Sequence, residues 1–134
     1  MSFFNILDVA ATGLSAQRIR MNVVSSNLAN ANTTRGENGE PYKRKNVVFE
    51  QILEGEFKGG VKVKEIKEDD KPPILKYDPS HPDANEEGYV MMPNIHPVEE
   101  MVNMLESSRS YEANVTVLNT AKQLALKAID IGRA

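Results

Sequence analysis

Apolar residues recur every seven positions in the first segment of the chain. Leu7, Leu14, Met21 and Leu28 form one row, and Ala10, Gln17, Val24 and Ala31 a second row three residues on, with Gln17 its only break. Four successive heptads predict a helix over about residues 4–31 that packs along a partner helix. Gly13 costs such a helix about 1 kcal/mol and admits the close approach of another backbone. Ile19 and Val23 add apolar surface beside the seam.

The partner is at the other end. From Val98 to Ile131 there is neither Pro nor Gly. Pro97 suits a first helical position, Glu99 and Glu100 fall in the first turn, and Lys122, Lys127 and Arg133 lie towards the end, as the helix dipole favours. Gly132 suits the position just past the helix. Such a helix runs roughly 50 Å at ~1.5 Å per residue, so it needs a long partner. Met101, Met104, Ser108, Tyr111, Val115, Leu118, Lys122, Ala125 and Ile129 follow steps of three and four and read as its seam, weak at Ser108 and Lys122. Val98, Val102, Leu105, Val117, Leu124, Leu126 and Ile131 spill onto other faces. A helix apolar on several sides is normally buried on several sides.

Between the helices, NTTRGENG at residues 32–39 supplies turn formers. Short runs with strand character follow: Val47-Val48-Phe49, residues 61–66, residues 74–77 and residues 89–92. Gly55, Gly59-Gly60, Pro72-Pro73, Pro79 and Pro82 punctuate them. Residues 61–66 alternate apolar with charged, as a half-exposed strand does. The pattern predicts a mainly α chain, α+β overall, in three parts: a helix in residues 1–34, a small β-hairpin-rich middle over 35–93, and a helix in 94–134 packing on the first. The middle is too meagre for a strong independent domain.

Charge sharpens this picture. Residues 1–34 carry only Asp8, Arg18 and Arg20, whereas residues 35–93 carry ten basic and thirteen acidic side chains. The first helix shows Asn22, Ser25, Ser26, Asn27 and Asn30 where a solvated helix shows Lys and Glu. Such groups enter helix contacts at lower desolvation cost than charges. With 134 residues, a net charge of −3 and one short basic run, Lys43-Arg44-Lys45, the chain does not read as a nucleic-acid binder. It has no Cys, so neither disulfides nor thiol chemistry arise. No apolar run approaches the ~18 residues of a membrane span. The N-terminus lacks a basic segment and Asp8 interrupts its apolar run, so it reads as mature structure and any export proceeds without a cleaved signal.

Candidate chemistry is thin. His81 and His96 each precede a Pro and have no third ligand; they read as a turn and a helix start. Residues 83–88 resemble the opening of a calcium loop, but Asn94 stands where the bidentate Glu belongs. The acidic pairs Asp69-Asp70 and Glu86-Glu87 sit in polar loops, with no apolar pocket to raise one pKa for acid catalysis. No nucleophile, phosphate loop or catalytic triad order is present. The expectation is a non-enzyme with no cofactor and no metal. A free-standing coiled-coil adaptor forming a closed oligomer is the alternative.

Specific strings narrow the choice. SSNLANANT at residues 25–33 resembles the N-terminal signature of bacterial flagellar axial proteins of rod and hook. GYVMMPNI at residues 88–95, with Glu100-Met101-Val102-Asn103 and SRSYEAN at 108–114, resembles their C-terminal signature. YKRKNVVFE at 42–50 and YDPSHPD at 77–83 carry the likeness through the middle. The resemblance covers nearly the whole chain, in the family's order, and the short length resembles proximal-rod members. His96 departs from the acidic helix-start residue expected there. The resemblance implies antiparallel terminal helices lining an axial tube, with the β part outside. It implies export through the flagellar type III apparatus and assembly in the periplasm with other rod proteins, copies of the chain and junction proteins of the membrane ring and export gate. A repeated contact that does not close into a ring generates a helical tube. The expected assembly residues are Leu7, Leu14, Met21, Val24, Asn27, Leu28 and Asn30 on the first helix, and Met104, Tyr111, Asn114, Val115, Leu118 and Ala125 on the last.

Overall fold

A computed structural model describes residues 3–133. Helix α1 spans Phe3–Ala29 and helix α2 spans Pro97–Arg133. Between them run strands β1 (Lys45–Gln51), β2 (Val61–Glu68), β3 (Ile74–Tyr77) and β4 (Tyr89–Met92). The expected helices and all four strand runs are present. Pro97 is the first residue of α2, and the His96 carbonyl accepts from the Glu100 N–H at 3.0 Å. His81 sits in a turn, its Nδ1 accepting from the Asp83 N–H.

The strands form two separate antiparallel hairpins, β1–β2 and β3–β4. In the first, Phe49 pairs with Val63 and Val47 with Ile66, and the register shifts between Val48 and Phe49. That bulge leaves Lys64 as the extra residue. Val63 and Ile66 differ in parity, and the bulge brings them to one face, opposite Phe49 and Val47.

Hairpin β1–β2 lies along α1, pinned at both ends by polar side chains. Asn27 bonds both backbone groups of Lys45, where β1 begins. Thr12 donates to the Val9 carbonyl at 2.6 Å and accepts from the Val61 N–H at 3.1 Å, where β2 begins. Fifteen helical residues span ~22 Å and a seven-residue strand ~23 Å, so helix and strand match in length. Gly60 is buried at this contact: a Cβ there would lie 2.5 Å from Thr12 Oγ1 and 2.9 Å from the Phe57 carbonyl oxygen. Gly60→Val should therefore lift the hairpin off α1 at a cost of about 1–3 kcal/mol, measurable as a lower midpoint of thermal unfolding. An unchanged midpoint would dismiss the docking role.

The helices pack antiparallel. Gly13 faces the Asn114 side chain, Arg20 pairs with Glu106 at 3.2 Å, and Asn27 bonds Glu100 at 3.3 Å. In each facing pair the two residue numbers total 126 or 127, which fixes one register. By that register residues 125–133 of α2 extend beyond Phe3.

The seam of α2 differs from the one the apolar pattern predicts. Its enclosed residues are Glu100, Ser107 and Ala121, with Met104, Tyr111, Asn114, Leu118 and Ala125 half-buried. The row Met104, Tyr111, Leu118, Ala125 is where the pattern places it. The companion row is rotated by one residue, from 101, 108, 115 and 122 to 100, 107, 114 and 121. Met101 is 59 % exposed and Ile129 55 %. α1 shows the same rotation: Gly13, Arg20 and Asn27 face α2, while Leu14, Met21 and Leu28 flank them half-buried. Small and hydrogen-bonding residues occupy the close approach because large side chains would hold the helices apart.

Candidate assembly surface

Where α1, α2 and β1 meet, seven polar residues close into one junction. Asn27 uses all four of its hydrogen-bonding positions. Its amide nitrogen donates to the Lys45 carbonyl at 2.8 Å and to Glu100 Oε2 at 3.3 Å. Its oxygen accepts from the Lys45 N–H at 2.9 Å and the Tyr42 hydroxyl at 3.0 Å. Tyr42 also meets the Ser26 hydroxyl at 3.3 Å. The Glu100 carboxylate, 1 % exposed, forms an ion pair with the Arg44 guanidinium, which also reaches Asp69 at 3.8 Å. A buried carboxylate is tolerated only with a counter-charge and hydrogen bonds, and this one has both.

Asn27, expected as an assembly contact, is thus wholly enclosed by its own chain. Asn30 caps α1 locally: it donates to the Ser26 carbonyl at 2.8 Å and accepts from the Thr33 hydroxyl. Val24 is buried, while Leu7, Leu14, Met21 and Leu28 are half-buried along the edge of the α1–α2 seam. Asn114 lies against Gly13 and donates to the Ser110 carbonyl at 3.1 Å. Met104, Tyr111, Val115, Leu118 and Ala125 are half-buried. Sequence reasoning missed Arg44, Tyr42 and Glu100 as a linked set, because their separation of up to 58 positions leaves no periodic signal.

A second polar contact ties the segment after α1 to the turn before β4. Asp83 accepts from the Thr34 hydroxyl at 2.6 Å and pairs with Arg35. The Thr34 hydrogen bond, aided by the Arg35 charge, holds the Asp83 carboxyl below its ordinary 3.8. A depressed carboxyl stabilises the fold above its unfolded value and loses that contribution as pH falls through the folded one. The Thr34 and Arg35 amide resonances should therefore shift below pH 3.8. Asp83→Asn should remove that transition; its persistence in the variant would assign it elsewhere.

Among the described residues no group of His, Cys, Asp and Glu could hold a metal ion, and no helix is long and apolar enough to cross a membrane. What the surface does present is apolar. Val98, Met101, Val102, Leu105, Val117, Leu124, Leu126, Ile129 and Ile131 of α2 are all exposed, as are Phe4 and Ile6 of α1 and Leu75, Tyr77, Tyr89 and Met91 of hairpin β3–β4. Neither helix packs on β3 or β4, and a lone two-stranded hairpin is marginal in water. So much unpartnered apolar surface marks an interaction surface.

Residues 7–35 match the family model described as flagella basal body rod protein. Residues 86–131 match the model described as flagellar basal body rod FlgEFG protein C-terminal. The chain is 50 % identical to the flagellar basal-body rod protein FlgC of Bacillus subtilis, over 99 % of this chain and 100 % of that one. It is 48 % identical to FlgC of Escherichia coli O157:H7 and 47 % identical to FlgC of Salmonella typhimurium, with the same coverage. The chain belongs to the flagellar basal-body rod protein FlgC family and is a structural subunit of the flagellar basal-body rod.

Proposed function

We propose that this chain polymerises with other rod proteins and copies of itself into the proximal part of the rod, a helical tube in the periplasm. The tube transmits torque from motor to hook and encloses the export channel. The chain reaches it through the flagellar type III export apparatus, and at its base meets junction proteins of the membrane ring and export gate. Its role is structural, without catalysis. The observation that carries this reading is that the 37-residue α2 leaves nine large apolar side chains, from Val98 to Ile131, exposed on its own chain. Such a helix is finished only by neighbours. The half-buried residues Leu7, Leu14, Met21, Leu28, Met104, Tyr111, Val115, Leu118 and Ala125 keep part of their surface for those neighbours. The β hairpins, carried on α1 and its loops, sit outside the tube.

Imaging of purified basal bodies tests this. The chain should appear in the tube between membrane ring and distal rod, and cells lacking it should make no hook. Basal bodies complete without the chain would overturn the reading. The rival, a closed coiled-coil oligomer, predicts one discrete species in analytical ultracentrifugation of the purified protein.

A further inference from the structure

Asn38-Gly39 is the one place in the chain where Gly follows Asn; the other eleven asparagines precede Ile, Val, Leu, Ala, Thr, Glu or Met. The pair lies in the connection between α1 and β1, and both residues are exposed. An Asn side chain can be attacked by the backbone nitrogen of the next residue. That closure is easiest before Gly, which has no Cβ to obstruct it and the widest backbone freedom. Gly39 already has a left-handed φ of 79°, and a Cβ there would meet nothing within 4 Å.

The Asn38 amide is held at both of its polar atoms. Its Oδ1 accepts from the Glu40 N–H at 3.1 Å, and its Nδ2 donates to the Glu40 carboxylate at 3.4 Å. An N–H aimed at a carbonyl oxygen stabilises the negative charge that gathers there when the carbon is attacked. The Glu40 N–H has that position relative to Asn38. The attacking nitrogen is engaged only in a surface turn, its N–H donating to the Gly36 carbonyl at 3.0 Å. Such exposed turn bonds open locally without unfolding of the chain.

We infer that Asn38 is a self-modification site, at which the Gly39 nitrogen closes on the side chain and converts it to aspartate and isoaspartate. The Gly39 nitrogen gives its proton to hydroxide and bonds to Asn38 Cγ. The Cγ–Nδ2 bond breaks, and the leaving nitrogen takes a proton from water and departs as ammonia. Water then opens the cyclic imide at either carbonyl. Opening at the side-chain carbonyl leaves aspartate, and opening at the main-chain carbonyl leaves isoaspartate. In sum a water enters and an ammonia leaves, with nothing oxidised or reduced.

Both products place a new negative charge between Glu37 and Glu40. Only isoaspartate also lengthens the main chain, within a loop closed by the Gly36 N–H on the Glu40 carbonyl at 2.6 Å and the Tyr42 N–H on the Thr33 carbonyl at 3.1 Å. Tyr42 reaches from this loop to Asn27 at 3.0 Å. Isoaspartate at position 38 therefore loosens one arm of the buried junction.

The test incubates the purified full chain at neutral and at mildly alkaline pH and follows its tryptic peptides by mass spectrometry. The peptide of residues 36–43, bounded by cleavage after Arg35 and Lys43, should gain the mass of an amide-to-acid exchange before any other Asn-containing peptide. The gain should be faster at the alkaline pH, where more of the attacking nitrogen is deprotonated, and isoaspartyl methyltransferase should label the product. Gly39→Ala should slow the conversion several-fold. Asn38→Gln, whose longer side chain closes a less favourable ring, should abolish it while keeping the amide. Asn38 left intact, or converted at an unchanged rate in Gly39→Ala, would overturn the inference. A mass gain without methyl label would also overturn it, since direct hydrolysis yields aspartate alone. The labelled chain should unfold at a lower temperature than Asn38→Asp, which carries the charge without the longer backbone; equal midpoints would detach the loop from the junction.

Discussion

Arg44→Met should lower the stability of the chain by about 3–5 kcal/mol, because it leaves the Glu100 carboxylate enclosed without its counter-charge. Methionine nearly fills the volume of the arginine stem, so the loss is electrostatic rather than one of packing. Asn27 would remain as a hydrogen-bond donor to Glu100, and one neutral donor does not offset the desolvation of a carboxylate. With total stabilities of roughly 5–15 kcal/mol, such a loss should appear as a large drop in the midpoint of urea unfolding. Glu100→Met in the same chain removes the stranded charge and should restore much of the loss. If the single variant unfolds with the wild-type midpoint, the junction is decoration. If the double variant is no better than the single one, the loss comes from packing instead.

Leu118→Asp should have an equally large effect at the middle of the helical hairpin. Leu118 belongs to the row that faces α1, with Tyr111 above and Ala125 below, opposite Asp8 and Val9 in the register of the facing pairs. Deleting a leucine from a packed seam costs about 2–5 kcal/mol, and a carboxylate in its place adds a desolvation penalty. The expected result is a lower unfolding midpoint together with loss of swimming. Thr116→Asp, two residues away on the exposed side of α2, should leave the midpoint unchanged. Equal tolerance of both substitutions would contradict the seam as described.

The two predictions concern different kinds of bond. Leu118 sits where the periodicity of the chain announces it, whereas Arg44 does its work through residues 25 and 56 positions after it. The junction resists an apolar replacement of one member because its groups are mutually satisfied. The same satisfaction explains why the Asn27 amide is unavailable to a neighbouring chain. Polar residues in SSNLANANT, which as a string suggest a contact with other subunits, bind instead within the chain: Ser26 to Tyr42, Asn27 to Lys45 and Glu100, Asn30 to the end of its own helix.

Periodicity determined the two long helices, their pairing and the presence of apolar faces in excess of what one chain can bury, and strand-type residues between Gly and Pro breaks determined the four strand runs, since spacings and breaks are written directly in the order of residues. It did not determine which face of each helix meets the other. On α2 apolar residues mark the exposed faces more strongly than the seam, where Gly13, Ser107, Asn114 and Ala121 let the backbones come close and Arg20, Asn27 and Glu100 lock the register. Only tertiary structure decided that rotation of one residue, because close approach and charge pairing depend on the partner's atoms, and hydrophobicity read along one chain contains neither.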